Sequence, residues 1–481
     1  MKRFLQLYIG FIFVFSFLLV LIITPLFQAG LFGDGIMYLT VAFNRFKGYG
    51  SFWQQHYSDT SMSFFCEQPP LYFEVLSWFY KLFGGAEIAE RVFTIALLLL
   101  TVWLLSLIWK KLNGYSPFYK LSWLPSMLCI LLPVFIWIFS NQVIETMIIP
   151  LTLLVFYVHL FYIKEPIVYK KTLWFLVIIG LLFMLLLTKG IQATFVLTIL
   201  FCSALISKEK NVKALLIQNL LIALGLGIVC FLIFYFNSNA NFWLTSYFNK
   251  RLVSTFHQVG ATTDNHLEII FRYLMEIIPL LLMIFFLSVY FKISTRYPLV
   301  IFFKNLTSNR TAIWLMLISL SGALPLALTL EQRGFYIAPA VPFAVLAFAY
   351  AGKRYFFVVF AKLNRRPKTL SAIAYSLLTI SLLFFMLFKN DYKRDEGMLK
   401  DVALIKKIIP YGANIGFDKS MWNMFSLRSY LNKANNNNFL ITDTTLFYVL
   451  NKDNKAIPPP NYVKLNYQTY WLDIYYKEKA K

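Results

Sequence analysis

Apolar residues in this chain fall in long unbroken blocks, and polar and charged residues are confined to the gaps between them. A helix that crosses a bilayer needs about 20 such residues. Blocks of that order recur near 4–27, 89–109, 121–139, 143–163, 173–188, 190–206, 214–236, 269–291, 311–330, 335–351 and 370–389. The pattern predicts about eleven transmembrane helices. The first block follows Met1-Lys2-Arg3 and is too long for a signal-peptide core, with no small-x-small cleavage site, so it reads as an uncleaved span. Two stretches depart from the block pattern. Residues 28–88 are too long for a plain turn, and within them Ile36–Phe46 and Pro70–Phe83 have the spacing of amphipathic helices suited to a membrane interface. Residues 390–481 are polar, with the run Asn435–Asn438 and the triplet Pro458-Pro459-Pro460. There Ala413–Phe417 and Asn438–Thr442 read as strands, and Met398–Ile409 and Met421–Leu431 as amphipathic helices. The expected fold is an all-α polytopic membrane domain, residues 1–389, followed by a small extracytoplasmic α/β domain, residues 390–481. A domain of that size is near the lower limit of independent stability, so it is expected to lean on the rest of the chain.

Charge supplies the orientation. The chain of 481 residues carries a formal charge of +23 with only 14% charged residues. In a soluble protein such a charge would suggest nucleic acid; its placement here gives a different reading. With the N-terminus inside, the segments 1–3, 110–120, 164–172, 207–213, 292–310 and 352–369 hold 21 Lys and Arg against only Glu165 and Glu209. The opposite set of loops holds 7 basic residues beside 8 acidic ones. That asymmetry is the positive-inside pattern. It puts the N-terminus in the cytoplasm, and the 28–88 loop and the tail outside. No nucleic-acid partner is expected.

Several chemistries find no support. Cys129, Cys202 and Cys230 fall within spans, and Cys66 stands alone outside, so no disulfide framework follows. No metal-ligand spacing, Walker A motif, dinucleotide fingerprint or nucleophile elbow occurs. No obligatory cofactor is expected, although a divalent cation is compatible with the carboxylates present.

The chemistry-bearing residues begin in the 28–88 loop. Asp34 stands between Gly33 and Gly35 just after the first span, where little steric bulk would keep a substrate hydroxyl away. A carboxylate so placed can serve as a general base, and a turn-forming Asp is the alternative. Glu67-Gln68-Pro69-Pro70-Leu71-Tyr72 follows, then Leu82-Phe83-Gly84 and Arg91 at the head of the second span. Further on come Leu187-Thr188-Lys189-Gly190, Asn249-Lys250-Arg251-Leu252, and Arg333-Gly334-Phe335-Tyr336-Ile337-Ala338-Pro339-Ala340-Val341-Pro342.

Together these motifs resemble the GT-C superfamily of membrane glycosyltransferases, in the branch of protein O-mannosyltransferases and bacterial aminoarabinose transferases. The resemblance runs over most of the chain and is strongest over 30–95. It implies transfer of a sugar from a polyprenyl (undecaprenyl-type) phosphate to an extracytoplasmic acceptor, a hydroxyl or phosphate on a glycolipid, polysaccharide or protein, with inversion at the anomeric carbon. It further implies an integral protein of the bacterial inner membrane, whose partners are the lipid-linked donor, membrane lipids and that acceptor. In these terms Asp34 is the base, and Glu67 orients the acceptor or donor sugar or assists a cation. Lys189, Arg251, Arg333, Tyr336 and Gln68 are the candidates for the donor phosphate, while Glu145, Arg91 and Tyr72 support them. Glu145 is an intramembrane carboxylate, for which Arg91 is the expected partner. Gln68 stands where the family has lysine and brings no charge, which shifts phosphate binding towards Lys189, Arg251 and Arg333. Gly35 replaces a frequent glutamate. Two other readings remain: a multi-span transporter or flippase of lipid-linked sugars, although no inverted repeat is found, and a catalytically inactive relative that binds polyprenyl lipids.

Overall fold

The computed structural model describes residues 2–206, 212–253, 262–291, 298–391, 393–453 and 456–478. Parts of the basic segments 207–213 and 292–310 therefore lie outside the described residues. The chain forms two compact units. One comprises Met1–Pro25, Thr94–Ser140 and Ile144–Leu387; the other comprises Leu26–Phe93, Asn141–Val143 and Phe388–Lys481. The composition break at 389/390 follows a different line, because the 28–88 loop folds together with the tail.

The first unit is helical. Among the described residues eight helices are long and apolar enough to cross a membrane, and ten if each of two bent pairs is one span. The expected span at 121–139 is one such pair, Pro117–Ile130 with Pro133–Ser140, bent by 75°. The expected 335–351 span is the other, Val341–Ala351 with Lys353–Leu363, bent by 70°. The apolar stretch Val168–Ile206 has 39 residues. As one straight helix it would run about 58 Å, nearly twice the hydrocarbon core, but Gly190 breaks it. Gly190 adopts φ 70° and ψ −151°, a conformation that L side chains avoid, and its backbone closely approaches the Tyr247 side chain. Counting the two arms separately accounts for the eleven blocks seen in the sequence.

Burial grades these helices. Of the apolar window in Glu145–Tyr162, 83% is buried inside the protein, against 11% in Val212–Phe236. The first is wrapped by its neighbours. The second offers Leu, Ile and Phe in nearly every direction, as a lipid-facing helix must.

The second unit is built on two helices of the 28–88 loop and the α/β tail. The Gly33–Phe46 and Leu71–Leu82 helices pack together through Tyr38, Tyr72 and Phe73, which meet edge to face. Arg45 clamps the same pair by donating from Nε to Glu74 at 2.7 Å. The apolar stripe expected to face the membrane surface is largely internal: Tyr38, Leu39 and Val41 are buried. The Phe425–Asn435 helix of the tail covers it through a polar seam. Thr40 Oγ1 donates to the Ser429 carbonyl at 3.2 Å, Asn44 Nδ2 donates to Asn432 Oδ1 at 2.9 Å, and Tyr57 shares a hydrogen bond with Ser429.

The tail contains a five-stranded sheet, β1 Asn414–Phe417, β2 Asn438–Leu440, β3 Phe447–Asn451, β4 Tyr462–Lys464 and β5 Leu472–Lys477, in the order β2-β1-β3-β5-β4. β1 runs parallel to β2 and β3; β5 is antiparallel to β3 and to β4. The two strands and two helices expected from the sequence are all present, and β3, β4 and β5 add to them. The asparagine run closes a helix. Asn436 takes the left-handed conformation at φ 53° that ends Phe425–Asn435, and Asn435 and Asn437 donate side-chain hydrogen bonds to the carbonyls of Ile409 and Ala413. Asp401, on the Glu396–Ile408 helix, accepts from the backbone N–H groups of Tyr470, Trp471 and Leu472. That clip ties the helix to the start of β5.

Candidate functional site

Asp34 lies in the first turn of the Gly33–Phe46 helix, where the unpaired N–H groups and the helix dipole favour a carboxylate. It is half-buried. The glycines beside it do not form the open turn that the sequence suggested. Gly35 is pressed against the backbone of Asn141, and a Cβ there would stand 2.2 Å from the Asn141 carbonyl oxygen. The same asparagine accepts, through Oδ1, the backbone N–H of Phe32 at 3.1 Å. Tyr72, fully buried, donates its hydroxyl to the Gln142 carbonyl at 3.0 Å. The short Asn141–Val143 segment thus anchors both the turn that carries Asp34 and the helix that follows Glu67-Gln68-Pro69-Pro70. Gln142 is itself held at φ 54°, a conformation that a non-glycine residue adopts only when its surroundings enforce it. Asn141 and Gln142 carry no site role in the sequence reading; the signal was a polar pair between two apolar runs. In the loop, Glu67 is half-buried and Gln68 buried.

Apart from Arg91, which belongs to the second unit, the remaining candidates lie in the first. Glu145 opens the Glu145–Tyr162 helix and Lys189 ends the Val168–Lys189 helix. A short connector makes these two helices neighbours of opposite direction, which brings the head of one against the foot of the other. Their charges meet at 3.0 Å, with side-chain exposures of 1% and 5%. The expected partner of Glu145 was Arg91; the structure supplies Lys189, and Arg91 instead lies over the Phe27 ring, 4.8 Å from its centroid. Each charge of the pair sits at the helix end whose dipole favours it, which is the physical reason for that exchange. The pair lines a cavity of about 10 Å³ together with Gln192 and Tyr336, and such a space holds about one water.

Tyr336 links this pair to a second one. Its ring centroid is 5.1 Å from Lys189 Nζ, and its hydroxyl donates to Glu331 at 3.3 Å. Glu331 in turn pairs with Arg251. Lys189, Tyr336 and Arg251 are thereby gathered into one chain of contacts, of which Glu331 is a further member. Arg333 follows two residues later, and among the described residues no carboxylate lies within ion-pair distance of it. Gln332 fixes this loop: it accepts the Ile269 N–H at 2.8 Å and donates to the carbonyls of His266 and Thr329. Among the described residues no three His, Cys, Asp or Glu side chains are gathered closely enough to hold a metal ion.

No family model and no curated protein matches the sequence. Among solved structures the chain is similar to ArnT from Cupriavidus metallidurans bound to undecaprenyl phosphate, with TM-score 0.66, 12% identity, and coverage of 96% of this chain and 97% of that one. The apo state of the same protein gives TM-score 0.64 at 12% identity, covering 95% and 96%. The oligosaccharyltransferase of Archaeoglobus fulgidus in complex with zinc and sulfate gives TM-score 0.50 at 12% identity, covering 90% of this chain and 62% of that one. Those neighbours are GT-C membrane glycosyltransferases. This chain is therefore an integral membrane protein that shares the ArnT fold along almost its whole length.

Proposed function

We propose that the protein transfers a sugar from a polyprenyl-phosphate donor to an acceptor on the extracytoplasmic face of the bacterial inner membrane. The observation that carries this reading is the shared fold, end to end, with a protein captured on undecaprenyl phosphate. The placement of Asp34 in a braced helix start supports it. In the reaction, Asp34 removes the proton from the attacking acceptor group, whose oxygen bonds to the anomeric carbon from the side opposite the phosphate. The carbon–oxygen bond to phosphate breaks, the electron pair leaves with the polyprenyl phosphate, and the anomeric configuration inverts. Glu67 orients the acceptor or the donor sugar.

Developing negative charge on the leaving phosphate calls for fixed cations and N–H or O–H donors. Lys189, Arg251, Arg333 and Tyr336 fill that role, with Gln68 as an uncharged donor. Lys189 and Arg251 are already paired with Glu145 and Glu331, so Arg333 supplies the surplus charge and the paired cations are held in place for the phosphate. The Lys and Arg distribution supports a cytoplasmic N-terminus with the catalytic loop and tail outside.

Asp34→Asn tests the reading. The isosteric amide keeps size and polarity but cannot accept the proton, so turnover should fall by roughly 10² or more, with expression and donor binding retained. A turn-forming or transport role predicts near-normal function, because Asn is tolerated at a helix start and forfeits only a dipole contribution of about 0.3–1 kcal/mol. Near wild-type transfer by the variant in a membrane assay would remove Asp34 from catalysis.

A further inference from the structure

Glu276 is a carboxylate inside a membrane-spanning helix, and the transfer step above leaves it unused. It follows eight residues after Glu268 on the Glu268–Tyr290 helix, about 12 Å along the axis. An ionisable side chain at such a depth is costly and marks a working position whose partner has to be named. The partner here is a backbone group. Glu276 Oε2 accepts the N–H of Val134 at 3.1 Å, at the head of the Pro133–Ser140 helix, where the bent pair turns by 75°. Such a break leaves N–H groups without intrahelical acceptors, and within a membrane the protein itself has to satisfy them. Pro133 has no N–H, so Val134 carries the first donor of this helix.

Glu276 belongs to one face of its helix. Ile269, Arg272, Tyr273 and Glu276 stand at i, i+3, i+4 and i+7, a spacing that a helix brings to one side. Each reaches residues 332–340 or the helix packed on them. The Ile269 N–H donates to Gln332 Oε1 at 2.8 Å. The Arg272 side chain lies against Gly334, where a Cβ would stand 2.9 Å from its Nη1. Tyr273 shares a hydrogen bond with Ser319 at 2.7 Å, and Ser319 Oγ donates to the Ala340 carbonyl at 2.7 Å. Glu276 holds the Pro133–Ser140 helix, whose Trp137, one turn beyond Val134, stacks on Phe335 with ring centroids 5.0 Å apart and planes 18° apart. The segment that carries Arg333 and Tyr336 is thereby fixed at Gln332, Gly334, Phe335 and Ala340.

We infer that Glu276 is a positioning residue: by capping the Pro133–Ser140 helix it sets Trp137 against Phe335 and so orients Arg333 and Tyr336 for the donor phosphate, an inference that rests on the transferase reading. The position requires a hydrogen-bond acceptor of glutamate length, not a charge. Glutamine supplies one through its amide oxygen. Leucine does not, and it leaves the Val134 N–H to bear its full desolvation cost. The helix relieves that cost by shifting, and the Trp137 stack shifts with it.

The test measures undecaprenyl phosphate binding by calorimetry, on the full-length protein in phosphatidylcholine nanodiscs. The dissociation constant reports how the site is arranged, and the stoichiometry reports how much of the protein is folded. Glu276→Leu should weaken binding about tenfold at unchanged stoichiometry, and Glu276→Gln should stay within about twofold of the wild type. Trp137→Leu, which leaves the cap in place, should weaken binding in the same direction. Adding Glu276→Leu to it should cost little more, because both act through one helix. Lowered stoichiometry with wild-type affinity in Glu276→Leu would make the residue merely structural and overturn the proposal. Equal losses in Glu276→Gln and Glu276→Leu would also overturn it, since the charge and not the cap would then matter. Should Glu276→Leu fail to fold, Trp137→Leu decides, and wild-type affinity there overturns the relay. In all these outcomes the wild type binds, so the donor reading stands. A wild type that does not bind undecaprenyl phosphate would remove the donor reading itself, and the proposal with it.

Discussion

Replacing Lys189 with methionine while Glu145 stays in place removes one half of an ion pair whose charges stand 3.0 Å apart. At an effective dielectric of about 20, two unit charges at that distance attract by about 5–6 kcal/mol. The single variant leaves the Glu145 carboxylate, 1% exposed, with no other hydrogen-bond donor in good geometry. Breaking one side of a buried pair destabilises by about 3–5 kcal/mol, and Lys189→Met should fall in that range. Glu145→Gln/Lys189→Met removes both charges, keeps the volumes, and should return to within about 1 kcal/mol of the wild type. The assay is an SDS titration from mixed micelles followed by circular dichroism, with all four corners of the cycle measured. A coupling of about 2 kcal/mol or more is expected. Zero coupling, with the double variant destabilised by the sum of the two single changes, would refute the argument. Donor binding adds a second reading of the same variants. Glu145→Gln frees the lysine and should keep or tighten undecaprenyl phosphate binding, whereas Lys189→Met should weaken it.

Gly35→Ala places a Cβ 2.2 Å from the Asn141 carbonyl oxygen; the forced shift should destabilise the second unit by about 1–3 kcal/mol. Limited proteolysis of the tail is the check, and unaltered resistance would count against the packing. Lys47 faces Lys406, Lys433, Arg91, Glu87, Glu90 and Tyr411 across its cavity, and its value is lowered from 10.5 to about 8. Between those values the unfolded chain binds more protons than the folded one, so this residue makes stability rise with pH across that window and weighs against folding below it. Lys47→Gln should flatten that slope in melting curves taken from about pH 7 to about 10, and an unchanged slope would assign it elsewhere. Cysteines placed at the exposed Ser51 and Lys419 should both react with an impermeant reagent in intact cells if, as proposed, the basic loops face the cytoplasm. Labelling of only one of the two would overturn the orientation.

Hydropathy alone located the spans, since lipid contact demands long apolar helices whatever their neighbours. The tail helices and the strands around Ile415 and Phe439 were legible from period and turn residues. β3 was not: Phe447-Tyr448-Val449-Leu450 is a short run of apolar residues, which periodicity cannot assign to strand or helix. β4 has only three residues and pairs with β5, and β5, although six residues long, finds its place only through β3 and β4, which no local pattern names. Asp34 was legible as a carboxylate at a membrane edge, but the reason for Gly35 was not, because the Asn141 backbone that excludes a side chain there comes from a segment more than a hundred residues away. The intramembrane charges Glu145 and Lys189 were visible as anomalies, while their pairing depended on two helix ends meeting. Nor does any local pattern tell that Lys47, Lys406 and Lys433 share one cavity. Sequence determines what each segment requires of its solvent. Only the tertiary structure decides which distant polar groups satisfy, or oppose, one another, because those energies depend on distances that chain order does not contain.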